Sequence, residues 1–529
     1  MLPLVGFVVI FGFVPVAVYL IGAAMAPGAG ATWSSVVADP LNREALENSI
    51  TQGGASAAVA LGLGYPVGIF LGRYAVPGRE MARALLLVPF LLPSLVMVEG
   101  VRELFGPSGV AAPYVPLLAG PWGGWVGIIV VNVAFNTPMV VLFTAAGCDR
   151  SYVELDEGLA TLGASPRRRY REVWGPPTWV GAAQGALLTF LFSAMGFAAP
   201  LLFGPQYFTL EARIYSLQVV YLEPQRAAAL ALIAVAFLAI PTVAYLALRR
   251  SSAPRGGRRP FRPVPLSARD PWVIGGAVGT AVLAALEGSI AFTVLYRSVT
   301  LPTGAWYAGW TTLFGPATTN ALGGLSMVGA TINTLWFAAL AAAIAILLTF
   351  GGAFSLAGRP RASVLVHLYL FVPLLVSPLI LALALAAFWR SVLTGPATVW
   401  VLIVVSQSML GLPFALQSFE APLVTLSAAP REAARTLGAS AWSAFTDVDV
   451  PRIRSGLVTA GLFAFVIGLG EFTATNFLAT PKFATISVAI YELPADRLPF
   501  AAETASAWLL IVSLAAIAAL LLGGFRGRR

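Results

Sequence analysis

Few side chains in this sequence of 529 residues could do covalent or metal chemistry. It has one histidine, His367, and one cysteine, Cys148, so neither a disulfide within one chain nor a Cys/His zinc site can be assembled. Its one lysine, Lys482, stands between Pro481 and Phe483, so no Gly-x4-Gly-Lys-Ser/Thr loop exists to hold nucleotide phosphates. No catalytic residue, resident metal or cofactor is therefore expected, and the chain does not read as an enzyme. The remaining chemistry lies in polar groups set inside apolar stretches. Asn132 and Asn136 are one helical turn apart and share a face. They could line a path for a polar solute, and could equally tie helices together by hydrogen bonds. Glu471 also interrupts an apolar run, where an unpaired charge is costly, and is a third candidate for the pathway. Glu287 is similar. Glu99, Arg102 and Glu103 have the helical spacing to neutralise one another.

Two polar segments share a second kind of pattern. One has Glu432-Ala433-Ala434, three residues, Gly438-Ala439, then Val448-x-Val450-Pro451. Glutamate suits the first turn of a short helix. Gly438 can take the left-handed conformation that ends a helix. A second helix is expected from Ser440 to about Asp449, with Pro451 breaking it. The other segment has Glu157-Gly158-Leu159, three residues, Gly163-Ala164, then Val173 and Pro176. The two alanines are replaced there, but the spacing is the same.

The elements that carry these segments follow from composition. Only 10% of the residues are charged and 58% are hydrophobic, against about 25% charged in a soluble domain. The apolar residues come in runs of about 20, the length that crosses a bilayer. Twelve spans are expected, near 2–24, 47–72, 82–105, 122–147, 178–204, 226–248, 271–295, 329–356, 362–389, 396–417, 454–479 and 502–524. Leu2–Ala24 reads as a retained first helix. With both termini in the cytoplasm, 24 of the 32 basic residues fall on the inner side. The net charge of +9 is then an orientation signal and not a sign of nucleic-acid binding. His367 falls in the ninth span and reads as a packing residue.

The sequence also repeats itself. A shift of 275 lays Thr161-Leu162-Gly163-Ala164-Ser165 on Thr436-Leu437-Gly438-Ala439-Ser440. It also lays Val173 on Val448, Pro176 on Pro451, Pro138 on Pro413, Asn132 on Gln407 and Phe197 on Phe472. A shift near 285 lays Asn48-Ser49 on Asn333-Thr334. The fold class is thus an all-α polytopic membrane protein made of two six-helix halves in the same orientation, 1–248 and 271–529. Such parallel repeats imply an axis along the membrane normal. An Arg-, Pro- and Gly-rich linker, 249–270, joins the halves.

The spacing around Glu432 and Gly438 resembles the EAA loop of ABC importer permeases, and the chain as a whole resembles the fused, two-half members of that family. The resemblance implies that the two loops, through Glu157, Gly163, Ala164, Glu432, Ala433, Ala434, Gly438 and Ala439, dock on two copies of a separate P-loop ATPase. It implies an extracytoplasmic substrate-binding protein as the other partner and the lipid bilayer as the surroundings. Fused permeases occur among importers of thiamine and of ferric iron. The elements Gly204-Pro205-Gln206, Thr209-Leu210-Glu211, Ile214-Tyr215 and Pro224-x-Arg226-Ala227-Ala228 look like thiamine permeases, as does Asn132-Val133-Ala134-Phe135-Asn136-Thr137-Pro138-Met139. Thiamine is thus the expected cargo and ferric iron the alternative. An ion-coupled secondary transporter is the alternative of another class, which needs neither an ATPase nor loops of this kind.

Overall fold

The computed structural model describes residues 6–7, 9–25, 29–118, 120, 122–151, 153–204, 208–251, 263–300, 305–356, 376–390, 392, 395, 397–424, 429–494 and 498–526. His367 and residues 252–262, half of the linker, lie outside the described residues. Among the described residues the structure is helical, with no β-strand and one isolated β-bridge, Tyr74 to Val264. Among the described residues seven helices are long and apolar enough to cross a membrane: 40–73, 123–149, 224–249, 271–299, 327–350, 398–416 and 499–519. Two bent helix pairs bring the number to nine if each is one span. The chain is an all-α polytopic membrane protein.

One of the bends sits where the backbone loses a hydrogen bond. In the third expected span, the helix Arg79–Leu91 turns by 93° into Ser94–Phe105. Pro93 lies at the corner and has no N–H to continue the ladder. The fifth expected span stops at Ala194 and restarts at Ala198, and the eleventh stops at Gly470 and restarts at Thr473. The two restarts are equivalent under the shift of 275. Phe197 has φ −108° and ψ −45°, and Phe472 has φ −109° and ψ −45°.

By contacts the chain forms two compact units, Gly30–Phe90 with Met97–Tyr296, and Met1–Ala29 with Leu91–Val96 and Arg297–Arg529. In the first unit we label α1 Pro40–Arg73, α2 Gly123–Asp149, α3 Val153–Thr161, α4 Pro166–Arg169 and α5 Gly175–Ala194. The helices α6 Ala198–Phe203, α7 Leu210–Tyr215, α8 Pro224–Ser251 and α9 Pro271–Val299 follow. The core is α1, α2 and α5. It is drawn tight by small residues, because lipid supplies no hydrophobic drive and close backbone approach must supply the dispersion contacts. Gly64, Gly68 and Gly72 put one face of α1 against Val140, Thr144 and Ala145; a Cβ at Gly64 would lie 2.8 Å from Val140 and at Gly68 2.5 Å from Thr144. On the other side of α2, Gly185 meets Val140 in the same way.

In the second unit, α10 Met327–Leu356, α11 Ala397–Val424 and α12 Val450–Gly470 form the core. Gly411 lies against Ala464, and Gly468 against Ala338. Between α11 and α12 come α13 Ala429–Thr436 and α14 Ala441–Ser443; after α12 come α15 Thr473–Leu478, α16 Ile486–Glu492 and α17 Pro499–Arg526.

Candidate functional site

The two polar segments fold alike, residue for residue. Gly163 has φ +75° and Gly438 φ +93°, the left-handed region that suits glycine. Each ends its helix in the same way. Gly163 N–H donates to the Ala160 carbonyl at 3.0 Å, and Gly438 N–H to that of Arg435 at 3.0 Å. Ala164 N–H donates to the Leu159 carbonyl at 2.9 Å, and Ala439 N–H to that of Ala434 at 3.0 Å. These bonds satisfy carbonyls that the helix end would otherwise leave bare. Ser165 and Ser440 then cap the next helices, accepting from the N–H groups of Arg168 and Ser443. Glu157 and Glu432 are exposed, as are Gly163 and Gly438, with Ala164 and Ala439 half-buried behind them. At the tips Leu162 is 83% exposed and Leu437 88%.

The proline differs from expectation. Pro451 does not break the chain, and neither does Pro176. Each sits in the first turn of the next long helix, α12 and α5, after a stretch of wider helical turns, Ala444–Asp449 and Tyr170–Trp174. A proline at that place costs nothing, because a first-turn N–H has no intrahelical acceptor. Each loop thus runs directly into a membrane helix.

Ion pairs that the sequence reading missed fasten both loops. Asp156, on α3, accepts from Arg73 at the end of α1 at 2.9 Å and from Arg169 at 2.8 and 2.7 Å. The Arg73 guanidinium also lies 4.2 Å from the centre of the Trp174 ring. Burial alone would lift the Asp156 carboxyl, but the hydrogen bonds from Arg169 and Arg73 outweigh it and hold it below the usual carboxylate range. In the other loop Arg431, on α13, meets Asp449 at 2.6 Å, and the Asp449 side chain is buried. The end of the linker is tied to the same place in the first unit. Val264 N–H donates to the Arg73 carbonyl and Ala75 N–H to the Val264 carbonyl, each at 2.9 Å.

The intramembrane candidates are brought into two polar groups. Asn132 donates to Gln52 Oε1 at 2.8 Å and to Ser56 at 3.4 Å, and Gln52 donates to the Ser193 carbonyl at 2.6 Å. This chain of bonds crosses α1, α2 and α5, so Asn132 ties helices. Asn136 donates to the Asn132 carbonyl on its own helix, 3.0 Å away. Glu471 caps α15, accepting from the N–H groups of Ala474 and Thr475 at 2.7 and 2.8 Å and from the Thr475 hydroxyl at 2.7 Å. Gln407, the repeat partner of Asn132, donates to that hydroxyl at 3.4 Å. The repeat extends to further bonds. Leu210 N–H donates to Ser49 Oγ at 2.9 Å, and Ile486 N–H to Thr334 Oγ1 at 3.0 Å. Asn48 donates to the Phe208 carbonyl at 3.1 Å, and Asn333 to that of Ala484 at 3.0 Å.

Residues 64–255, which include the first loop, match the model of the binding-protein-dependent transport system inner membrane component. The thiamine transport system permease protein ThiP of Salmonella typhimurium is 25% identical over 478 residues, 87% of this chain and 85% of that protein. ThiP of Escherichia coli is 25% identical over 438 residues, 80% of this chain and 78% of its own length. Over most of its length the chain is similar to ABC importer permease subunits. The molybdate/tungstate transport system permease protein WtpB of Thermococcus kodakarensis is 28% identical over 155 residues, 28% of this chain and 56% of that protein. Permeases of this family work with an ATPase and a substrate-binding protein, and these relatives are permeases, not enzymes.

Proposed function

We propose that this permease forms the translocation pathway of an ATP-driven thiamine importer and that its two loops, around Gly163 and Gly438, each dock on one copy of the ATPase. The observation that carries the coupling role is the duplicated geometry. Two loops 275 residues apart share the left-handed glycine, the capping serine, the exposed acid and the exposed leucine. Two such tips call for two identical acceptors. We further propose twelve spans in the halves 1–248 and 271–529, with both termini cytoplasmic. The arginine distribution supports this orientation.

Thiamine as cargo rests on the names of the relatives that cover most of the chain. It also rests on the segments near Asn132 and from Thr209 to Ala228. Glu211 and Arg213 of that second segment are buried, and Arg226 holds Asp39 at 2.7 Å, so the segment packs against the start of α1. A deletion strain unable to make thiamine should need more external thiamine than its parent. Normal growth on trace thiamine, with failure on limiting iron, would overturn the assignment in favour of ferric iron.

A further inference from the structure

The shift of 275 that superposes the loops also lays Asp156 on Arg431, and Trp174 on Asp449. The residue just before each loop glutamate is therefore the one that carries the ion pair, with its charge reversed. On α3 it is an acid held by Arg73 and Arg169. On α13 it is a base held by Asp449. In both loops the partner belongs to the root of a membrane helix. Arg73 closes α1, and Asp449 directly precedes α12. Each loop's pair has one partner well shielded from water. The Arg73 side chain is 7% exposed and the Asp449 side chain 1%. Neither Gly163 nor Gly438 has an atom within 4 Å of its Cβ position, and α13 has no buried residue.

We infer that Asp156 and Arg431 are positioning residues that latch each coupling helix to a membrane helix and carry the ATPase-driven movement into it. The inference rests on the reading of the loops as ATPase-docking elements. Each exposed helix ends at a left-handed glycine, and the ion pair gives a force applied at its tip a direct route into the root of a membrane helix. Removing one partner of a shielded ion pair leaves a charge in a poorly hydrated place, so the two ends are held together. The reversed polarity has a consequence of its own. Neither loop can pair with the other's anchor, so each coupling helix is keyed to its own half.

The test is hydrogen–deuterium exchange on the complex of the full chain with its co-purifying ATPase, with and without ATP and vanadate. In the unaltered complex, ATP should change exchange both in the loops, 153–164 and 429–438, and in the roots, 68–75 and 444–458. In Asp449→Asn the change at 429–438 should remain, while that at 444–458 falls by about fivefold or more, the lower end of coupling between sites. Asp156→Asn should do the same at 68–75. The charge exchange Arg431→Asp with Asp449→Arg should restore the response at 444–458. A root response that survives Asp449→Asn and Asp156→Asn would overturn the latch, as would a charge exchange that restores nothing in an intact complex. If ATP alters neither loop in the unaltered complex, the docking reading fails and takes the latch with it.

Discussion

Replacing Gly438 by valine separates docking from folding. The φ of +93° at this residue is one that a β-branched side chain adopts at a cost of roughly 1–2 kcal/mol. No atom of the chain lies within 4 Å of the added Cβ, so there is no internal clash to add to that cost. The strain therefore falls on the helix end. A penalty of this size shifts the population of the native turn by about five- to thirtyfold, and the new side chain also projects from the docking tip. Membrane insertion should be unaffected, and co-purification of the ATPase should fall several-fold. Gly163→Val should act in the same direction. Gly78→Val is the control. It has φ +69°, open space at the Cβ position and an expected place on the inner side, but it lies outside both loops. Full ATPase recovery from the Gly163→Val/Gly438→Val double variant, or an equal loss in Gly78→Val, would refute the reasoning.

Three further outcomes follow from the polar contacts. Asn132→Ala leaves Gln52 Oε1 without its donor and should cost about 1–3 kcal/mol, read as a lower melting temperature in detergent. Asp39→Ala removes the cap of α1, where Asp39 accepts from Leu41 N–H, and also leaves Arg213 with Asn42 and Arg226 with Glu223, each short of its ion pair to Asp39. The cap alone is worth about 1 kcal/mol, and protease sensitivity near residues 208–226 should rise. The third outcome is a pH dependence. The Asp156 carboxyl is held below its ordinary value of about 3.9, so the first latch contributes fully above that pH and weakens only as pH falls through the lowered value. Exchange protection at 153–164 should stay flat from pH 8 to about 5 and drop in stronger acid.

The loops were legible because their chemistry is local. A glutamate, a glycine and a serine at fixed spacing specify a helix, its left-handed end and the next cap within ten residues. The latches were not legible in the same way. Arg73 and Asp156 are 83 positions apart, and only packing of α1 against the loop brings them together. The one signal was an acid aligned with a base at the repeat shift, which looks like drift until the partners are seen. Hydropathy found the apolar runs but not their corners. It counts Pro93 and Gly196 as ordinary positions, although the chain bends or breaks at both. Asn132 was an open choice between pathway and helix tie, and Gln52 lies far away in sequence. Its hydrogen bond is the tertiary fact that shows the tie.

Transport in sealed vesicles tests the central claim most directly. The vesicles would hold this permease and its ATPase, with ATP enclosed, all ion gradients collapsed, and the binding protein with labelled thiamine outside. The account predicts thiamine accumulation that requires ATP and disappears in the Gly163→Val/Gly438→Val variant. Accumulation driven by an imposed proton or sodium gradient without ATP, or none when ATP is present, would contradict it.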